Sequence, residues 1–499
     1  MKYVIGIDLG TSAVKALLVA RDGTVAGEAS REYPLYHDHS GWSEQEPEDW
    51  VQGTLEALRA LVSGNPGLSP EDVEGISFSG QMHGLVLLDA GNRPVRRAIL
   101  WNDTRTTAQC REIERKLGDR LLSVTRNPAL EGFTLPKILW VREHEPEAFA
   151  SARRFVLPKD YVRYRLTGEI HMDLSDAAGT LMLDVAGRQW GEEVLAAFDL
   201  TPGFCPPLVE AGAQTGTLSL EAAAASGLSP ATKVFAGGAD NACGAIGAGI
   251  LAEGLTLCSI GTSGVILAYE DNPETDYRGR VHFFNHGKPG AFYAMGVTLA
   301  AGYSLSWFRN TFAAGESYDA LLANVPDIPP GAGGLLFTPY LVGERTPHAD
   351  SNIRASFIGV DGSHSRAHFA RAVMEGITFS LNESVAMFRA AGKSVDKVVS
   401  IGGGAKNPVW LQMQADIFDA EVIALENEQG PGLGAAMLAA VGCGWHAGLD
   451  DCAAVLVKQS RRYRPDPAAA ARYAELFPLY RSVYTHTREL NDSLATFRN

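Results

Sequence analysis

Cysteine, clustered positive charge and long uninterrupted apolar runs are all scarce in this sequence of 499 residues. Its six cysteines show no C-x-x-C spacing and no neighbouring histidine pairs, which argues against both a zinc site and a disulfide framework. The net charge of −15 is spread along the chain, without the clustered lysines and arginines of a nucleic-acid-binding surface. A small-molecule ligand is therefore favoured over nucleic acid.

No segment is typical of an export signal or a membrane span. Asp8 interrupts the first apolar stretch, where a signal peptide would need an unbroken one. The two longest windows with almost no charge, residues 234–252 and 429–449, are rich in glycine and alanine and contain Asp240 and His446. We therefore expect close-packed helices there and a protein of the reduced cytoplasm, with no membrane partner.

Two short segments repeat one pattern far apart in the chain. Residues 5–12 (IGIDLGTS) and 259–264 (SIGTSG) each lead a β-branched run into a Gly-Thr-Ser turn. Glycine lets the backbone approach an anion there, and the N–H and hydroxyl groups can donate to phosphate oxygens. Either turn alone could be an ordinary hairpin. The carboxylates of Asp8 and Asp240 beside the pair favour phosphoryl transfer instead.

The hydrophobic patterning predicts strands and helices in alternation through both halves of the chain. The predicted strands are residues 2–7, 16–19, 24–29, 75–79, 395–401 and 421–425. The predicted helices are residues 46–62, 368–391 and 407–418. The halves look like a distant duplication, divided at 1–250 and 251–499. This pattern predicts an α/β fold of two ribonuclease-H-like lobes, the actin-like ATPase architecture, with nucleotide in the cleft between them.

Two long segments, residues 132–144 (GFTLPKILWVREH) and 355–375, resemble the signatures of the FGGY carbohydrate kinases. Further segments resemble the versions found in the xylulose kinases of that family: residues 79–84, 100–103, 157–161, 175–180 and 343–348. Glycerol kinases resemble the chain less, since they carry an Arg-Glu pair where Met82 and His83 stand. The resemblance extends over nearly the whole chain and is weakest in the last ~50 residues.

The resemblance implies an ATP- and Mg²⁺-dependent kinase that converts D-xylulose to D-xylulose 5-phosphate. Two alternatives stay open: a kinase for another ketopentose or polyol, and a non-catalytic, sugar-responsive ATPase. Residue types alone do not fix discrimination between epimers. The sequence also leaves the oligomeric state open, a homodimer included.

The resemblance also implies roles for individual residues. Asp240 is expected to be the general base that accepts the proton of the sugar hydroxyl; the structural alternative is an aspartate that caps the following helix. Asp8 is expected to face magnesium and the transferring phosphoryl group. The other expected contacts are to phosphate or nucleotide (Thr11, Gly261, Thr262, Gly302, Gly403, Gly404, Asn407) and to sugar (Met82, His83, Asn241, with Asp240). Trp101 and Asp103 could line the sugar pocket or merely brace it.

Overall fold

The structure, a computed structural model, describes residues 1–426 and 428–498. The strands up to residue 250 are β1 (Tyr3–Leu9), β2 (Ala13–Ala20), β3 (Val25–Glu32), β4 (Glu44–Gln45), β5 (Val73–Gly80), β6 (Val86–Leu88), β7 (Ala98–Ile99), β8 (Arg154–Val156), β9 (Met172–Asp173), β10 (Leu183–Asp184), β11 (Gln189–Trp190), β12 (Leu208–Val209), β13 (Gln214–Thr217), β14 (Lys233–Phe235) and β15 (Gly238–Ala239). The helices are α1 (Pro47–Ser63), α2 (Thr107–Leu117), α3 (Asp119–Thr125), α4 (Thr134–His144), α5 (Pro146–Ser151), α6 (Pro158–Thr167), α7 (Leu174–Ala178), α8 (Glu192–Ala197), α9 (Leu220–Ser226) and α10 (Asp240–Gly247).

The remaining strands are β16 (Gly254–Ile260), β17 (Gly264–Glu270), β18 (His282–Asn285), β19 (Phe292–Thr298), β20 (Leu336–Thr338), β21 (Ser356–Ile358), β22 (Val395–Gly402), β23 (Glu421–Leu425) and β24 (Gln459–Tyr463). The remaining helices are α11 (Gly302–Phe312), α12 (Tyr318–Leu322), α13 (Arg366–Ala390), α14 (Pro408–Phe418), α15 (Gly430–Gly442), α16 (Leu449–Leu456) and α17 (Pro467–Ala495). In the stretches 1–426 and 428–498, none of these helices combines the length and the apolar character needed to cross a membrane.

Two seven-stranded sheets form the centres of two α/β lobes. The first has the order β13-β14-β5-β1-β2-β3, with β15 also paired to β5. The second has the order β18-β19-β17-β16-β22-β23-β24. In both sheets an antiparallel hairpin, β1-β2 or β16-β17, is joined by a parallel strand on its first member, β5 or β22. This repeated arrangement confirms the predicted two-lobed α/β fold; the functional division at residue 250 stays a prediction.

Helix α1 shows how the hydrophobic pattern fixes the layers. Trp50, Leu58 and Leu61 recur at helical spacing and are buried against the first sheet, as the predicted stripe requires. Pro47 occupies the first turn of the helix, where its missing N–H leaves no hydrogen bond unmade, and Gly64 follows its last residue. The helix therefore covers one face of β2 and β3, and the Gly-Thr-Ser turn is left free at the end of the sheet.

Helices α10 and α15 pack against each other with almost no side chain between their backbones. A Cβ placed on Gly434 would lie 1.9 Å from the carbonyl oxygen of Cys243, and one on Gly247 would lie 2.7 Å from that of Gly430. Helix α15 also crosses to the first sheet, since a Cβ on Gly6 would lie 1.9 Å from the Gly432 carbonyl oxygen. The predicted close-packed helices are confirmed, and they join the two halves of the chain.

Candidate active site

The first Gly-Thr-Ser turn joins β1 to β2, as predicted. The N–H of Gly10 donates to the carbonyl of Ala13 at 3.0 Å, and the Tyr33 hydroxyl donates to the Gly10 carbonyl. The indole Nε1 of Trp101 donates to the Thr11 hydroxyl at 2.9 Å, and Trp101 remains 44% exposed. The turn is thus anchored from two sides, and an aromatic face stands beside the residue expected to contact phosphate.

Asp8 lies on β1 just before this turn and is partly exposed. Burial raises the pKa of its carboxyl group, while the Ser79 hydroxyl and the charge of Lys15 act in the opposite direction. A carboxylate that is costly to ionise in its own surroundings gains most from a nearby cation. The position therefore suits a ligand of a divalent ion.

The second group of phosphate and nucleotide candidates converges at the end of β16. The N–H of Gly302, at the start of α11, donates to the carbonyl of Gly261 at 2.9 Å. A Cβ on Gly302 would lie 2.4 Å from that oxygen, and one on Gly404 would lie 2.6 Å from Cδ1 of Ile260, so glycine is required at both positions. The structure therefore brings Gly261, Thr262, Gly302 and the Gly403-Gly404 turn together.

Asn407 lies at the end of the same glycine turn, but its side chain is used within the protein. Its Oδ1 accepts hydrogen bonds from the N–H groups of Val409 and Trp410 at 2.9 and 3.1 Å and so caps α14. Its predicted nucleotide contact would have to come from Nδ2 or from the backbone.

Asp240 is the first residue of α10 and follows β15, which pairs with the end of β5. Its Oδ1 accepts from the backbone N–H of Asn241 at 2.7 Å and from the Asn241 Nδ2 at 3.0 Å. The helix-cap position belongs to Ala239, so the carboxylate does not make the usual capping bonds of the alternative reading. Burial and the nearby charge of Asp8 raise the pKa of Asp240 to about 7.

Met82, His83 and Asn241 form one wall beside Asp240. Asn241 Nδ2 lies 3.5 Å from the sulfur of Met82. His83 Nδ1 lies 2.6 Å from the carbonyl oxygen of Gly179, and because a carbonyl only accepts, Nδ1 carries the proton. Burial, with the charges of Lys137 and Arg345, lowers the pKa of His83 to about 3. The neutral ring therefore offers Nε2 as an acceptor for a hydroxyl group.

Two residues of the second half also reach this wall, and the sequence reasoning gave neither a role. The Tyr293 hydroxyl on β19 approaches the Met82 sulfur at 3.9 Å. Arg345, in the loop after β20, lies close enough for its charge to lower the pKa of both His83 and His282. The segment 343–348 was singled out as a motif, but a motif does not say which way its side chains point. Asp103, in contrast, is buried and bound to Arg105, so it braces the fold.

One cluster in the described ranges has the spacing of a metal site: Asp160, Asp173 and Asp176. Its centre is filled by the ammonium group of Lys159, which lies 2.8, 2.7 and 2.9 Å from the three carboxylates. The second oxygen of Asp173 accepts from the Ser175 hydroxyl, and that hydroxyl accepts from the Ala239 N–H at 3.0 Å. This ion cluster therefore supports the residue that precedes Asp240 and is not a metal centre.

Comparisons with known proteins give the same picture over the full length of the chain. Family models described as the N-terminal and C-terminal domains of the FGGY family of carbohydrate kinases match residues 3–247 and 256–443. The chain is 61% identical over 498 residues to the xylulose kinase of Bacillus subtilis, with both chains fully covered. It is 49% identical over 501 residues to the xylulose kinase of Lactococcus lactis, again with full coverage of both. Ligand-bound xylulose kinase from Lactobacillus acidophilus superimposes with a TM-score of 0.93 at 27% identity, over 98% of this chain and 99% of that one.

Proposed function

The chain belongs to the FGGY family of carbohydrate kinases, and we propose that it transfers the γ-phosphoryl group of ATP to the primary hydroxyl of D-xylulose, giving D-xylulose 5-phosphate. The choice of sugar is supported by full-length relatives named xylulose kinases. The chemistry is supported above all by one observation: Asp240 is hydrogen-bonded to Asn241, whose Nδ2 lies 3.5 Å from the sulfur of Met82, the neighbour of His83. Burial raises the pKa of Asp240 to about 7 at this position.

Asp240 is the general base in this proposal. A sugar hydroxyl is a weak nucleophile, and a carboxylate that takes its proton as the phosphorus–oxygen bond forms makes the attack easier. With a pKa of about 7, Asp240 is a stronger base than an ordinary aspartate and is still largely ionised just above neutral pH. Loss of its proton on a rise in pH should therefore activate the enzyme.

His83 and Asn241 orient the sugar, with Met82 as an apolar wall. Nε2 of the neutral imidazole accepts a hydrogen bond from a sugar hydroxyl, which fixes the sugar relative to Asp240. A site that hydrogen-bonds substrate hydroxyls rejects sugars in which those groups point elsewhere. Discrimination between pentuloses would therefore arise at this wall.

The nucleotide is held by the two Gly-Thr-Ser turns, with Thr11 from the first lobe and Gly261 and Thr262 from the second. Gly302 and the Gly403-Gly404 turn border the same space, as the hydrogen bond from Gly302 to Gly261 requires. Asp8 would hold Mg²⁺, which when bound would neutralise charge on the phosphate groups. We further assign the reaction to the reducing cytoplasm, in keeping with six free cysteines.

A substrate panel tests the proposal. Purified protein with ATP and Mg²⁺ is assayed for ADP release with D-xylulose, D-ribulose, xylitol, glycerol and D-gluconate. We expect kcat/KM for D-xylulose to exceed that of every other acceptor by at least tenfold. A higher value for ribulose or a polyol would reassign the substrate, and sugar-stimulated ADP release without formation of a sugar phosphate would favour a sugar-responsive ATPase. Light scattering of the same preparation decides between a monomer and a homodimer.

A further inference from the structure

His83 holds a backbone conformation that a residue with a side chain rarely adopts. Its φ is 69°, in the left-handed region where the Cβ crowds the neighbouring carbonyl. Such conformations persist at functional sites when the surrounding structure imposes them.

The N–H of Gly84 donates to the carbonyl of Met82 at 2.9 Å across His83, and two side chains of helix α4 hold the His83 carbonyl. Lys137 Nζ donates to the carbonyl oxygen of His83 at 3.0 Å, and Thr134 Oγ1 donates to the same oxygen at 3.1 Å. The N–H of Leu135 donates to the Thr180 carbonyl at 3.0 Å, next to the Gly179 carbonyl that receives the His83 ring nitrogen. Helix α4 thus bonds to the backbone of His83 and to the segment that accepts the hydrogen bond of its ring.

Burying the amine of Lys137 costs free energy that packing alone would not require. It is fully buried, and its second hydrogen bond runs to the carbonyl of Gly132 at 2.5 Å. Burial lowers the pKa of its amine to about 7. Desolvating an amine costs free energy unless its hydrogen bonds are made. A methionine would fill the same volume without that cost, so the donors of Lys137 are the reason for its presence.

We propose that Lys137, assisted by Thr134, is a positioning residue for the sugar site: it locks the left-handed backbone of His83 and so directs the imidazole Nε2 at the sugar. This inference rests on the sugar-binding role proposed for His83. It gives the first family-like segment, residues 132–144, a specific task, because its buried donors act on the sugar and not on the nucleotide.

A double-mutant cycle tests the inference, because residues that act through one another are not additive. The variants are Lys137→Met, His83→Ala and the two combined, with Thr134→Val as a milder variant. Ile138→Ala is the matched control, since Ile138 is buried in the same helix. Each is characterised by the Michaelis constants for D-xylulose and ATP, by kcat and by melting temperature.

We expect Lys137→Met to raise the Michaelis constant for D-xylulose at least tenfold and to change that for ATP less than twofold. The Michaelis constant of the double variant for D-xylulose should be within threefold of that of His83→Ala alone. Thr134→Val should raise the Michaelis constant for D-xylulose about threefold. Ile138→Ala should lower the melting temperature and leave that Michaelis constant unchanged.

Independent effects that multiply in the double variant would overturn the inference, as would an unchanged xylulose constant in a folded Lys137→Met protein. If Lys137→Met does not fold, Thr134→Val is combined with His83→Ala instead: a xylulose constant equal to that of His83→Ala supports the inference, and a further threefold rise contradicts it. An unchanged constant in His83→Ala alone would instead reject the proposed sugar wall, and the inference with it.

Discussion

The substitution Asp240→Asn should inactivate the enzyme and raise its free energy of unfolding. The size of this rise should depend on pH. The pKa of Asp240 is about 7 in the folded protein, whereas in an unfolded chain it is near the ordinary aspartate value of 3.8. Between those values the folded state binds one more proton, so wild-type stability falls as pH rises. Each pH unit in this window lowers the free energy of unfolding of the wild type by about 1.4 kcal/mol. From pH 5 to pH 8 the gain in Asp240→Asn over wild type should therefore grow by about 3 kcal/mol.

The assay is urea unfolding of the ligand-free proteins at pH 5, 6, 7 and 8, followed by tryptophan fluorescence. Asp199→Asn, at an exposed position after α8, is the control and should show no such growth. In parallel, kcat of Asp240→Asn should fall by about two to four orders of magnitude, the range for a positioned base. ADP binding should be retained. A stability difference that stays within about 0.5 kcal/mol from pH 5 to pH 8 would refute the reasoning, because a change so small leaves Asp240 no raised pKa.

Three further outcomes follow from the structure. Asp8→Asn should weaken the Mg²⁺-dependent part of ADP binding at least tenfold in calorimetry but leave metal-free ADP binding within twofold; unchanged magnesium dependence would reject Asp8 as the metal residue. Lys159→Met removes the ammonium group shared by three buried carboxylates, of which Asp160 keeps a second cationic partner in Arg163. It should lower the free energy of unfolding by about 3–5 kcal/mol, against under about 1 for the surface variant Lys116→Met; equal losses would contradict the ion cluster. Gly434→Ala should cost about 1–3 kcal/mol, since its Cβ would lie 1.9 Å from a carbonyl oxygen, whereas Gly448→Ala meets no atom within 4 Å; a neutral Gly434→Ala would show that α10 and α15 separate freely.

Elements with a regular period were predictable from the sequence, and irregular ones were not. The predicted strand 421–425 is identical with β23, and the predicted helix 407–418 differs from α14 by one residue. Helix α4, which is buried on most sides, and the 29-residue α17, which buries only a few residues, were not predicted, because neither has a clean apolar stripe.

The site shows the same limit at the level of single residues. A short motif identifies residues that are adjacent in sequence, so Met82 could be named with His83, and Asp240 with Asn241. The structure then brings the two pairs into contact through Asn241 and Met82. A short motif cannot reveal a hydrogen-bond donor on a helix distant in sequence, such as Lys137, or a hydroxyl group on the other lobe, such as that of Tyr293. Those contacts depend on the three-dimensional arrangement of the lobes. The roles of all these residues remain predictions for the experiments above.

The glycine contact between α10 and α15 has a consequence for where movement is possible. Because α15 touches both α10 and β1 backbone to backbone, these elements should move as one body when the second lobe turns, and the pivot of that turn lies outside them. Asp240 begins α10 and so belongs to this body, whereas Thr262 and Gly403 lie in loops of the second lobe. The acid–base group would then stay almost stationary while the triphosphate is carried towards it. Variants that stiffen the pivot should consequently slow turnover without moving the acid limb of the pH profile.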